Sequence, residues 1–285
     1  MSTTPFTDRQ TMNAPFFEFF HYLDQTPPEV DFHVHDFYEV FFFISGDVDY
    51  IVEGRSYHLQ PGDLLLTNSM DIHRPLIRPG KPYERYVLWV NDRFIQNSAE
   101  VGDDLTACFE DANHKQYKLV RPDPPTRQHL INQCTRILDA QRSTKFGARN
   151  LLYGAVNNFV VYLNRAYFAT PESIRWDVIE NPVVNGVVAY IDASFTQPLS
   201  LEQLEKMFHL TRYHLSRKFK DFTGLSIYQF IMKKRLAHAR DLLRSGSSVM
   251  EACFDSGFGD YSNFLKAFKR EFQCSPRDFA RIIPE

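Results

Sequence analysis

Cysteine is scarce, and no two cysteines form a Cys-x-x-Cys pair. Cys108, Cys134, Cys253 and Cys274 are scattered along the chain. That pattern argues against a disulfide framework and reads as reduced, mostly buried thiols of a cytoplasmic protein. Also missing is any uninterrupted apolar stretch of membrane-spanning length, so no transmembrane segment is expected. The start, Met1-Ser2-Thr3-Thr4-Pro5, has no basic segment followed by an apolar run, and no signal peptide is expected. Apolar residues as a class are not short. They make up 44% of the chain, which argues against disorder. With 285 residues there is room for two domains, each with its own core.

The net charge of −3 hides an asymmetry. From Glu180 onward there are 15 Lys/Arg against 12 Asp/Glu, and before it 17 against 23. Placement matters more than the excess. Arg212, Arg217, Lys218, Lys220, Lys233, Lys234, Arg235, Lys266, Lys269 and Arg270 are expected on or beside two recognition helices, where they would meet phosphates.

The period of the pattern changes along the chain. Residues 1–30 read as irregular, broken by Pro5, Pro15, Pro27 and Pro28. From Asp31 to Asn91, short apolar runs such as Tyr38 to Ile44 and Tyr83 to Val90 alternate with turns such as Ser45-Gly46-Asp47 and Pro61-Gly62-Asp63. That is the pattern of an antiparallel β-barrel or sandwich. Two amphipathic helices follow, at Thr126–Ser143 and Phe146–Ala169. Apolar residues on more than one face of them call for more than one neighbour, either within the chain or in a second subunit. The stretch Thr170 to Pro182 reads as a linker.

Two similar units close the chain. The first runs from Leu199 to Lys220 and ends at Thr223-Gly224, and the second runs from Val249 to Arg270 and ends at Cys274-Ser275-Pro276. Each has a short apolar helix, a tight turn and a longer helix with one polar, basic face, which is what entry into a DNA major groove requires. Ser200, Thr211 and Asp260 are placed as N-caps. In the first unit Leu215 and Phe219 face inward, leaving Thr211, Arg212, Tyr213, His214, Arg217 and Lys218 toward DNA. Arg217 suits guanine O6 and N7 through its planar fork, with a phosphate role as the alternative, and Arg212, Lys218 and Lys220 suit phosphates. In the second unit Phe264 and Phe268 face inward, leaving Tyr261, Ser262, Asn263 and Lys266. Asn263 can pair with adenine, or with Ser262 it can contact the backbone.

These residues resemble the DNA-binding domain of the AraC/XylS family. The second unit carries Ala252, Gly257-Phe258, Asp260, Ser262, Phe264, Phe268-Lys269, Ser275-Pro276 and Phe279, and the first adds Leu201, Leu204, Leu215, Arg217, Phe219, Gly224 and Tyr228. Leu265 and Lys266 depart from the family pattern, which has Ser or Thr and then Arg there. The β segment is similar to a cupin: His33-x-His35-x3-Glu39-x6-Gly46 matches the first motif, and Gly62 with His73 keeps the spacing of the second. Asn68 and Met70 replace its Pro and Gly.

The resemblance implies a two-domain α+β protein. An N-terminal cupin-like β-barrel with a helix pair (1–169) precedes a linker (170–182) and a C-terminal all-α domain (183–285). Helix-turn-helix units are expected at about 200–222 and 248–272. It also implies a regulator of carbohydrate-use genes, more an activator than a repressor, that binds double-stranded DNA and RNA polymerase. A homodimer through 126–169 and a sugar or oligosaccharide effector complete the expectation. His33, His35, Tyr38, Glu39, His73 and Trp89 are its expected effector residues, with the N-terminal arm closing over the ligand. Trp89 either stacks on a pyranose or fills the core. His33, His35, Glu39 and His73 stand where cupin enzymes hold a divalent metal, so a metal-dependent cupin enzyme is the rival reading. An effector-independent DNA-binding protein is the third.

Overall fold

The computed structural model describes residues 3–6, 9–26, 28–91, 94–95, 102–170 and 178–282. Its N-terminal part is built from β1 (Phe17–Asp24), β2 (Tyr38–Ser45), β3 (Val48–Val52), β4 (Arg55–His58), β5 (Leu64–Thr67), β6 (His73–Ile77) and β7 (Tyr83–Val90). After them come α1 (Ala107–His114), β8 (Leu119–Val120), α2 (Pro124–Arg142), α3 (Ala148–Ala169) and β9 (Val178–Ile179). The strands form two antiparallel sheets, ordered β1-β7-β2-β5-β8 and β6-β3-β4-β9.

The larger sheet is covered on both faces, which is why β2 is apolar at every position from Val40 to Ile44. Successive side chains of a strand point to opposite faces. Phe41, Phe43, Val87 and Trp89 therefore join the core that also holds Val48, Tyr50 and Val52 of the smaller sheet. Val40, Phe42, Leu88 and Val90 join the core under α2 and α3. The two-sided apolar pattern of the helix pair is accounted for largely inside the chain: Leu130, Cys134, Ile137, Val156, Phe159, Val160 and Leu163 all belong to this one core.

β1 corrects the expectation that residues 1–30 are irregular. Pro15 and Pro27 flank this strand rather than interrupt it, and residues Phe17 to Asp24 pair in register with Val90 to Tyr83. β9 lies inside the expected linker and pairs Val178 and Ile179 with Tyr57 and Ser56. Residues 171–177 of that linker, with Trp176, lie outside the described residues.

The C-terminal part is helical: α4 (Pro182–Ser194), α5 (Leu201–Phe208), α6 (Arg212–Thr223), α7 (Ile227–Arg244), α8 (Val249–Asp255), α9 (Tyr261–Phe272) and α10 (Pro276–Ile282). Local sequence fixes their starts. Ser200, Ser226 and Ser248 each close a capping box with Gln203, Gln229 and Glu251. Thr211 and Asp260 accept from the amides of His214 and Asn263. Each such cap stabilises its helix by about 1 kcal/mol. Gly257 sits in the turn before α9 at φ +89°, and a Cβ there would lie 2.6 Å from the Thr196 carbonyl oxygen, so only glycine fits. α7 spans both units: Ile227, Phe230 and Ile231 complete one core and Leu236, Ala239 and Leu243 the other.

Candidate nucleic-acid interface and ligand site

α6 and α9 each bury a short apolar edge and turn a polar face outward. In α6, Leu215 and Phe219 are buried, and Thr211, Arg212, Tyr213, His214 and Arg217 are exposed, with Lys218 half-buried. Arg212 Nε lies 3.1 Å from Glu205 of α5, and Arg217 Nε lies 3.9 Å from Asp221 one turn on. Both arginines are exposed, so solvent screens the pairs and they yield readily to a phosphate or a base. In α9, Phe264, Ala267 and Phe268 are buried, and Tyr261, Ser262, Asn263 and Lys266 are exposed.

Three of the expected basic flanking residues belong elsewhere. Lys234 is buried, with Nζ 3.0 Å from Glu53, 2.9 Å from Asp192 and 2.9 Å from the Met70 carbonyl. Arg235 donates to the carbonyls of Phe195 and Gln197, and Lys233 pairs with Glu271. A helix seam that packs against another part of the chain has the same local sequence as one facing DNA, so charge alone did not separate them.

The second site lies between the sheets. Glu39 and Trp89 are register partners on β2 and β7, so their side chains share the inner face. Trp89 Nε1 donates to Glu39 Oε2 at 2.6 Å, and Tyr50 Oη donates to Oε1 at 3.3 Å. Around them is a cavity of about 70 Å³ whose walls include Tyr83, Arg85, His33 and, from the N-terminal arm, Phe6, Arg9 and Gln10. Arg9 lies over the Trp89 ring, 5.2 Å from its centroid. Phe37 and Phe20 pack against the same indole, with centroids 4.6 and 4.8 Å away.

Tyr38 is not in this site. It has the opposite parity to Glu39 and packs on Phe109 under the helix layer, with ring centroids 4.7 Å apart. Tyr50, Tyr83 and Arg85 belong to the cavity but were not singled out. Arg85 shares the parity of Trp89 along β7, so the strand's alternation carried the signal. Nothing in the sequence marked Arg9.

His35 and His73 stand behind Glu39, fully buried. His35 Nε2 is 3.9 Å and His73 Nε2 3.8 Å from the carboxylate. His35 stacks on Phe37, and neither of its nitrogens meets a hydrogen-bond partner among the described residues. His73 Nδ1 bonds the Asp71 carbonyl at 2.8 Å, and its Nε2 has no hydrogen-bond partner among the described residues. His33 pairs with His73 through backbone hydrogen bonds of 3.1 Å in both directions, and its ring lies 4.2 Å from that of His73.

Residues 19–156 match the AraC-like ligand binding domain, and residues 204–282 match a helix-turn-helix domain. The chain belongs to the AraC family. It is a DNA-binding regulator of transcription with a ligand-binding domain at its N-terminal end. Proteins named HTH-type transcriptional activator RhaS are similar over most of their length. The one from Salmonella heidelberg is 26% identical over 255 residues, covering 86% of both chains. The one from Klebsiella pneumoniae is 24% identical over 250 residues with the same coverage. Among solved structures, ToxT from Vibrio cholerae aligns over 95% of this chain and 100% of its own, at 15% identity and a TM-score of 0.37. No helix among the described residues is long and apolar enough to cross a membrane.

Three of the four residues expected at metal positions come together in this AraC-family chain. Donor atoms of His35, Glu39 and His73 lie within 4.8 Å of one another, and His33 lies outside that set. Two imidazoles and a carboxylate suit a first-row divalent ion, and the partnerless nitrogens of His35 and His73 are the observation that fits one.

The cluster is tuned toward neutrality. Burial pushes His33 down to about 4. Burial, then the neighbouring imidazoles, holds His35 and His73 well below their usual value. Burial raises Glu39 to about 7 against the hydrogen bonds from Trp89 and Tyr50. Below the usual histidine value of 6.5, the unfolded chain takes up protons that the folded histidines refuse, so stability falls with pH. Glu39 acts the other way between its usual 4.5 and about 7, and so does Glu53, which burial raises to about 8. Substitution isolates the histidine share: in chelator-treated protein, His33→Gln should lose less melting temperature than wild type between pH 7 and pH 5. An equal loss in both would contradict this.

Proposed function

We propose that this AraC-family protein is a cytoplasmic activator whose effector is a sugar or oligosaccharide bound between the sheets. The carrying observation is the cavity itself. Carboxylate, phenol, indole N–H and guanidinium groups are set among aromatic faces, the mix that bonds hydroxyls and packs on C–H faces. At about 70 Å³ the cavity is well below the roughly 300 Å³ or more of an ordinary ligand pocket. A sugar therefore enters as Phe6, Arg9 and Gln10 lift away, and Arg9 yields the indole face. The relatives named transcriptional activators support the sign of regulation, and RNA polymerase is the partner that an activator of this kind would contact.

Calorimetry with a panel of mono- and oligosaccharides tests this. One member should bind, shift Trp89 emission, and bind more weakly to Trp89→Phe and Glu39→Gln. Trp176 is the only other tryptophan, so the signal is assignable. Binding unaffected by both substitutions would place the site elsewhere.

The reading includes a homodimer through α2 and α3, supported by Leu151 and Phe168, which α3 leaves 69% and 59% exposed. Leu151→Glu should convert a dimer to a monomer in sedimentation. A wild-type monomer at micromolar concentration would remove the dimer from the proposal.

The partnerless nitrogens favour a second reading, a divalent ion on His35, Glu39 and His73. Zinc titrated into the chelator-treated protein should then bind at one equivalent and fail to bind His73→Gln.

A further inference from the structure

One loop connects the backing of the ligand site to the DNA-binding part. Between β5 and β6, residues 68–72 run along the inner surface of α7. Lys234 Nζ bonds the Met70 carbonyl at 2.9 Å, and Arg240 Nη2 reaches the Ser69 carbonyl at 3.4 Å. The side chain of Ile72 is buried among Val184, Leu215, Phe219 and Phe230 of the helical part. On its other side the same loop holds a residue that backs the cavity wall: the Asp71 carbonyl bonds His73 Nδ1 at 2.8 Å, and His73 Nε2 lies 3.8 Å from Glu39, which lines the cavity.

A second strand of contact runs through His35, whose carbonyl accepts from Arg240 Nη2 at 2.9 Å, while the next residue, Asp36, pairs with Arg244. Glu53 closes the arrangement. It accepts from the Ile72 amide at 2.5 Å and pairs with Lys234 at 3.0 Å. Lys234 and Arg240 are 3% and 1% exposed. Burying two such cations costs desolvation, which here is offset by carbonyls and carboxylates in fixed directions.

Arg240 and Lys234 lie on the helix that completes both helix-turn-helix cores. A displacement of His35 or His73 therefore moves carbonyls that α7 holds, and α7 carries both recognition units with it. Coupling between two sites needs differential contacts, and a contiguous buried network supplies a physical route for them.

We propose that α7 docks on the ligand-binding domain through the backbone of the histidines' own segments, so that Lys234 and Arg240 act as positioning residues that convert a change at His35 and His73 into a change in the DNA-binding helices. This rests on reading the inner cavity as an effector site. Its test uses no ligand, so the two ideas fail separately.

Hydrogen exchange is measured on the full chain as wild type, His73→Ala and Arg240→Lys, with α2 and α3 as the internal control for global stability. His73→Ala should speed exchange of α7 amides between Lys234 and Arg244 by about fivefold or more, the lower end of typical coupling, with α2 and α3 unchanged. Arg240→Lys keeps the charge but loses the planar fork. It should speed exchange at 33–36 and 68–73 and shift Trp89 emission. Should His73→Ala also loosen α2 and α3, the milder Arg240→Lys decides. Effects confined to the substituted side of the contact in both variants would overturn the proposal.

Discussion

Replacing Lys234 by Ala is expected to destabilise the folded chain by about 3–5 kcal/mol, the usual cost of removing one partner from a buried ion pair. The ammonium is 3% exposed and is held by Glu53, Asp192 and the Met70 carbonyl. Burial alone would lower its pKa, but Glu53, Asp192 and Asp71 outweigh that and keep it charged. Burial, Asp192 and Asp71 already raise the Glu53 carboxyl to about 8 against the pull of Lys234, so removing the ammonium costs either an unpaired buried carboxylate or its protonation. The loss should therefore lie in charge pairing rather than in volume. A Lys234→Met, Glu53→Gln, Asp192→Asn variant, which removes charge from both sides, should recover most of it. Urea denaturation monitored at fixed pH measures both. A loss below about 1 kcal/mol for Lys234→Ala, typical of an exposed pair, would show that solvent reaches the network.

Arg217→Ala is expected to weaken specific DNA binding by about 1–3 kcal/mol, roughly 5- to 150-fold, and to relax base preference at one position. Arg217 is 66% exposed on α6, opposite the edge that buries Leu215 and Phe219. Its ion-pair partner among the described residues, Asp221 at 3.9 Å, restrains it weakly. The guanidinium fork is thus available for two hydrogen bonds to a guanine. Lys218→Ala should instead weaken all sequences alike and lower the salt slope by about one. Selection from random DNA with wild type and both variants, followed by titration at several salt concentrations, separates the roles. A position preference untouched by Arg217→Ala would assign that residue to the phosphate backbone.

Local chemistry is what the sequence exposed. The caps at Ser200, Thr211 and Asp260 lie where their side-chain oxygens meet orphan amides, and that pattern needs no tertiary information. The inward Leu215, Phe219, Phe264 and Phe268 follow from helical spacing alone. Glu39 and Trp89 were legible because each lies in an apolar strand, but only pairing put them in register. Tyr38 went the wrong way because a strand buried on both faces gives no polar mark of which side is which, and parity within the strand decides. β1 was hidden by prolines that flank it.

The sequence by itself determined the two helix-turn-helix units, their caps and buried edges, the change of period from strand to helix, and the histidine and glutamate residues around the ligand site, because these depend on neighbours a few positions away. Only the tertiary structure decided which cations face outward. Lys234 and Arg240 resemble the DNA-facing arginines in composition. They are instead buried against Glu53 and the carbonyls of His35 and Met70, residues from a distant part of the chain. Burial of a charge is settled by whether matching oxygens arrive from elsewhere in the fold, and the folded arrangement of the sheets and α7 brings them there.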